Sequence, residues 1–109
     1  MHIEMPTAPE FARQNALKAK KCLQKGSSAM LRTGKRRMNQ LINKENLGEI
    51  SLTKMHQFRR HQKNAEYQGD ICKDNGAVAW LGWGNGYQGK KPIANASDWA
   101  AKQLKKSYN

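Results

Sequence analysis

Thirteen Lys and Arg side chains crowd residues 18–63, against only Glu45 and Glu49. A stretch carrying a net +11 cannot turn its charged groups inward, because a buried cation without a partner is strongly penalised. It has to form elements with one charged face and one apolar face. The flanks differ: residues 1–17 carry a net −1 and residues 64–109 a net +2, so nearly all of the chain's +12 lies in the middle. All three Trp lie in the last third. The middle is therefore the charged surface, and the last third supplies much of the bulky core.

The period of the apolar residues selects helices. From Pro9 to about Lys25, Phe11, Ala12, Ala16, Ala19 and Leu23 fall at helical spacing, with Pro9 suited to a first turn. Gly26-Ser27-Ser28 ends that helix and caps the next. In a second helix over about 29–44, Met30, Leu31, Gly34, Met38, Leu41 and Ile42 share the inner side, while Arg32, Lys35, Arg36 and Asn39 share the outer one. After the turn at Asn46–Glu49, Ser51 opens a third helix through about Ala65 with Leu52, Met55 and Phe58 inside. Arg59, Arg60 and Lys63 load its C-terminal half, where cations suit the helix dipole. A loop at 68–70 precedes a short apolar helix that starts at Asp74 or Asn75 and carries Ala77, Val78, Ala79, Trp80, Leu81 and Trp83. Gly82, Gly84, Gly86 and Gly89 then form a flexible or left-handed run. A last helix starts near Asn95 or Ser97 and carries Trp99 and Leu104. β-Branched residues are few and alternation is absent. The expectation is an all-α bundle of four to five short helices with a Gly-rich loop before the last one. Residues 1–8 read as a flexible N-terminal arm and 9–109 as one basic helical domain.

At 109 residues there is room for one domain, and the hydrophobic share of 38% is below the usual range. No run approaches the 18 or so apolar residues of a membrane span, and the N-terminus has no secretory pattern. Cys22 and Cys72 are too few for a disulfide scaffold and have no CxxC partner, so they are expected as reduced thiols in an intracellular protein. His56 and His61 stand five apart, which does not put two ligands on one helix face. The glycine run resembles a phosphate loop only superficially: no strand precedes it, and Lys90-Lys91 is not followed by Ser or Thr. No enzyme, metal or cofactor is expected.

The outer face of the second helix carries the sharpest functional reading. Arg32, Lys35 and Arg36, with Arg37 at their edge, can clamp consecutive phosphates, and Arg59, Arg60 and Lys63 extend the basic surface. Charge runs are usually solvated faces, but such faces mix Glu with Lys, and here acids are nearly missing. A helix–turn–helix pair is a weaker reading, since a Gly-containing turn between short helices describes many bundles. Trp80, Trp83 and Trp99 can be read as base-stacking platforms, yet a chain this poor in aromatics needs them in its core. Tyr87, in the glycine run, is the better exposed aromatic.

Several segments, read in order, resemble a known family. They are Ala29-Met30-Leu31-Arg32-Thr33-Gly34, Arg37-Met38-Asn39-Gln40-Leu41, Ile50-Ser51-Leu52-Thr53-Lys54-Met55, Arg60 to Glu66, and Lys73 to Gly84. This order is similar to a small domain of tailed phages and prophages, found alone or fused to head-region proteins such as prohead-protease-like and prophage structural proteins. The resemblance covers about residues 16–84, with Trp99 as the family's later tryptophan. Asn75-Gly76-Ala77-Val78-Ala79-Trp80-Leu81-Gly82-Trp83-Gly84 is its specific part. After Gly84 the sequence departs, since residues 85–98 intervene where the family closes quickly to its Trp. The resemblance implies a viral setting and a compact helical unit, and carries over no functional residue.

The expectation is a phage-encoded, non-enzymatic basic protein that binds the phosphate backbone of nucleic acid through its middle helices, in head assembly or the virion. One alternative is a capsid or portal accessory protein that docks on an acidic partner. Another is a host-takeover factor that binds and inhibits a host nucleic-acid enzyme. The expected places are the host cytoplasm during infection and the virion, with no membrane association.

Overall fold

Small side chains set how the helices pack. In a computed structural model of the protein, which describes residues 5–107, helix α1 (Glu10–Gln24) buries Ala12, Ala16 and Ala19 along one stripe. Methyl groups at i, i+4 and i+7 let two neighbours approach closely. These are α2 (Arg32–Ile42) and α4 (Asn75–Gly82). Helix α1 ends in a left-handed Gly26 (φ 104°), with Ser27 N–H donating to Cys22 O and Gly26 N–H to Leu23 O. That is the Schellman closure expected of glycine just past a helix end.

Helix α2 is shorter than its apolar pattern. Leu31 takes the N-cap position in an extended conformation, so it leaves the inner face and stands 84% exposed. Met30, Gly34, Met38 and Leu41 remain inside as expected. Helix α3 (Glu49–Gln57) packs mainly on the last helix, α5 (Asn95–Ser107). The expected single helix through Ala65 instead tightens at Phe58 into a 3-10 segment, Phe58–Ala65. This segment lies against α4 and delivers Ala65 into the core.

Asp74 caps α4 by accepting from Ala77 N–H at 2.9 Å. Gly76, in the first turn, is required: a Cβ there would run into the Asn64 carbonyl. Val78, Leu81 and Trp83 join the main core, while Trp80 lies fully buried in a small second cluster with Ala65 and Ala94. Trp80 and Trp83 are therefore core, as expected. Trp99 packs, partly buried, on the main core, and no ring contact among the described residues joins it to the other two indoles.

The glycine run is more ordered than a flexible loop. It contains a two-stranded antiparallel hairpin, β1 (Gly86–Gln88) and β2 (Lys91–Ile93), with Tyr87 opposite Pro92. Gly89 (φ 65°) supplies the positive φ that a two-residue hairpin turn requires. Three asparagines pin the run. Asn15 Nδ2 donates to Gly84 O, Asn85 Nδ2 donates to Ser97 Oγ, and Asn95 Oδ1 accepts from Gly86 N–H, each at 2.9 Å. Trp80 Nε1 donates to Gly86 O at 3.0 Å. Tyr87 is half-buried rather than an exposed aromatic, and its hydroxyl donates to Ala65 O at 2.6 Å. Burial, with Tyr67 and Asp74 nearby, pushes its phenol well above the usual range.

Two other expectations need correction. Cys22 and Cys72 are bonded in a disulfide, not free thiols. Fifty residues separate them in sequence, and only the docking of α1 against the turn at Ile71–Lys73 brings their Cα atoms to 4.9 Å. Such bonds persist in oxidising surroundings, so the cysteines lend no support to an intracellular setting. Of the arm, residues 1–4 lie outside the described residues. The remainder is held: Leu47 N–H donates to Pro6 O at 2.7 Å, and Ala8 is buried.

Candidate nucleic-acid interface

Helix α2 packs on α1 and α4, while α3 packs on α5 and the 3-10 segment. The two helices touch each other little, unlike a helix–turn–helix pair, and leave a groove between them of about 340 Å³. Arg32, Thr33, Arg36, Arg37 and Gln40 line it from α2, and Ile50, Ser51 and Lys54 from α3.

The basic residues of α2 divide into two kinds. Arg32, Lys35 and Arg36 are exposed, as helical spacing requires of an outer face. Arg37 is only 5% exposed and forms the floor of the groove. Its place at the edge of the outer face is corrected: one residue past Arg36 turns the side chain about 100° inward. There its guanidinium lies over the Trp83 ring, 5.6 Å from the centroid, on a ring that also stacks with Phe58 at 4.7 Å. Arg37 Nη1 donates to Ser51 Oγ at 2.5 Å and to Gln40 Oε1. Its Nε is buried with no hydrogen-bond partner among the described residues. No carboxylate pairs with it among those residues either. Burial first, and the Arg36 charge second, hold its pKa below the ordinary arginine value.

Arg59, Arg60 and Lys63 do not join this groove. They stand exposed on the 3-10 segment, where residues three apart eclipse, so Arg60 and Lys63 share a side and Arg59 does not. Arg59 reaches α5 instead, with Nε 3.0 Å from Asp98 Oδ1. The seven expected basic residues thus form two groups and a buried floor, not one continuous face. Sequence reasoning missed Lys54 and Ser51 as members of the groove. Both sit on the α3 side facing α2, and Lys54 is three residues beyond Ser51, a spacing that could have flagged them.

On the other side of α2 lies an apolar cleft of about 320 Å³, lined by Met30, Leu31, Phe58, His61, Ala79 and Trp83 among others. Two large apolar side chains stand out beside the cations: Leu31, and Ile50 at 72% exposure. Among the described residues, no group of three or more His, Cys, Asp or Glu is placed to hold a metal ion, and no helix is long and apolar enough to cross a membrane. No protein-family model, curated protein or solved structure matches this chain.

Proposed function

We propose that this is a non-enzymatic nucleic-acid-binding protein that grips the phosphate backbone with the α2–α3 face. One observation carries the reading: Arg32, Lys35, Arg36 and Lys54 are all exposed around one groove or beside it, and none forms an ion pair with a carboxylate among the described residues. An ordinary solvated face would intersperse acids. Unpaired cations at this density attract a polyanion, and each Arg fork can take two phosphate oxygens. Arg60 and Lys63 offer a secondary contact, while Arg59 is already engaged with Asp98.

The test is binding to labelled duplex and single-stranded DNA by fluorescence anisotropy. Replacing Arg32, Lys35 and Arg36 with Ala should weaken binding strongly. Replacing Lys102, Lys105 and Lys106 of α5, an equal loss of charge, should change it much less. Equal effects of the two triples would reduce the reading to net charge alone.

A second reading is favoured by Leu31 and Ile50, whose exposure beside cations gives the mixed apolar and basic character of a protein-docking surface. Its partner would be an acidic protein, either a phage capsid or portal protein or a host nucleic-acid enzyme. The phage setting, with the host cytoplasm during infection or the virion as its place, rests on the resemblance of residues 16–84. Peptide mapping of purified particles separates a virion component from a factor left in the host cell.

A further inference from the structure

Arg37 does more than supply charge to the groove; it fixes the polarity of its neighbours. Its Nη1 donates to both Ser51 Oγ and Gln40 Oε1, so it occupies an acceptor position on each. The Ser51 hydroxyl hydrogen and the Gln40 amide hydrogens are then left to point elsewhere, as donors. Arg32, Arg36 and Lys54 have no acceptor at all, and among the described residues no carboxylate lines the groove. The cavity therefore offers hydrogen-bond donors and positive charge on nearly every side, over the buried Arg37, whose Nε has no hydrogen-bond partner and which lacks a counter-ion among the described residues. Two adjacent guanidiniums, Arg36 and Arg37, repel each other until an anion lies between or above them. The first turn of α2 adds to this, since it contains no acid and no side chain caps it.

We propose that the α2–α3 groove is a discrete site for one tetrahedral phosphate group, held by Arg32, Arg36 and Lys54 above Arg37 and met by donors from Ser51 and Gln40. The inference rests on the proposed nucleic-acid reading but is narrower, because it assigns one phosphate to one built pocket rather than a backbone to a diffuse face. The phosphate can belong to an internal phosphodiester or to a terminal phosphate monoester. Both present the same oxygens to the same donors.

The probe is inorganic phosphate, added to the full chain at constant ionic strength with chloride as the control, and read by thermal shift and calorimetry. The expected result is a saturable rise in melting temperature with phosphate that chloride does not produce. Arg36→Ala and Lys54→Ala, both at exposed positions, should each melt as the wild type does without phosphate and weaken phosphate binding by about tenfold, the usual weight of a charged hydrogen bond. Arg37→Met should abolish the response; if that variant fails to melt cooperatively, the two surface variants decide. Comparing 5′-phosphorylated with 5′-hydroxyl oligonucleotides then assigns the source: tighter binding of the former marks a terminal group, equal binding an internal one. No phosphate response beyond chloride, or a response untouched by Arg36→Ala and Lys54→Ala, overturns the inference. If phosphate fails while DNA still binds through Arg32, Lys35 and Arg36, only the pocket assignment falls. If phosphate binds and DNA does not, the pocket stands and the nucleic-acid reading falls.

Discussion

Reducing the Cys22–Cys72 bond should destabilise the fold by about 4 kcal/mol. The bond closes a loop with a sequence separation of 50. In the chain-entropy account a crosslink over roughly that length removes about 14 cal/mol/K from the unfolded chain, or about 4 kcal/mol at room temperature. Unfolding entropy of about 2 cal/mol/K per residue turns this into a fall in melting temperature of about 18 °C for a chain of 109 residues. The bond ties the end of α1 to the turn that leads into α4, so its loss loosens the packing of the alanine stripe against α4 as well. Scanning calorimetry with and without a thiol reductant reads the difference. Mass spectrometry of the unreduced protein checks that two hydrogens are missing. A Cys22→Ala/Cys72→Ala variant should melt with the reduced protein and ignore the reductant. Coincident melting of the oxidised and reduced wild type, with the bond shown to form, would refute the entropic reasoning. Two titratable thiols in the protein purified without reductant would refute the bond itself.

Three further outcomes follow from the core and the hairpin. Gly76→Ala should destabilise by about 1–3 kcal/mol in urea titrations, because the new methyl meets the Asn64 carbonyl; helix propensity alone predicts a gain of about 1 kcal/mol, so a stabilised variant would contradict the packing. Trp80→Ala should cost about 3–5 kcal/mol by the shift in urea midpoint, since the indole is fully buried and its Nε1 donates to Gly86 O. Tyr87 is held protonated in the folded state, so its contribution is fully present below the unfolded phenol's pKa of about 10 and declines as pH rises above it; Tyr87→Phe should remove that part of the alkaline loss in melting curves taken across this range.

The helices were legible because their apolar residues recur at helical spacing; the caps expected for α2 at Ser27-Ser28 and for α3 at Ser51 are not found, since Leu31 and Gly48 take those N-cap positions with no side-chain cap. The start of α4 could be narrowed to Asp74 or Asn75, of which Asp74 is the cap, and that of α5 to Asn95 or Ser97, of which Asn95 is the first helical residue and accepts from Ala96 N–H. The hairpin was not legible. Each strand has three residues and one contains Pro92, so period-two alternation has no length in which to appear. The disulfide escaped for a related reason: its partners meet through tertiary packing, and local spacing holds no trace of it. At the candidate site, exposure of Arg32, Lys35 and Arg36 followed from helical periodicity alone. Arg37 did not, because a residue at the edge of a stripe turns in or out according to what the neighbouring element offers, here the Trp83 ring and Ser51. The separation of Arg59 from α2 likewise depends on where the 3-10 segment docks and on Asp98, some forty positions away.

The central claim, that the α2–α3 face binds nucleic acid through its phosphates, is tested most directly by the salt dependence of DNA binding. Each neutralised phosphate releases condensed counterions, so four contacts from Arg32, Lys35, Arg36 and Lys54 should give log K against log salt a slope of roughly −3.6 on duplex DNA. Arg36→Ala should flatten the slope by about one unit and leave sequence preference unchanged. A flat salt response, or a slope that the Arg32/Lys35/Arg36 triple alanine variant leaves unaltered, would contradict the account.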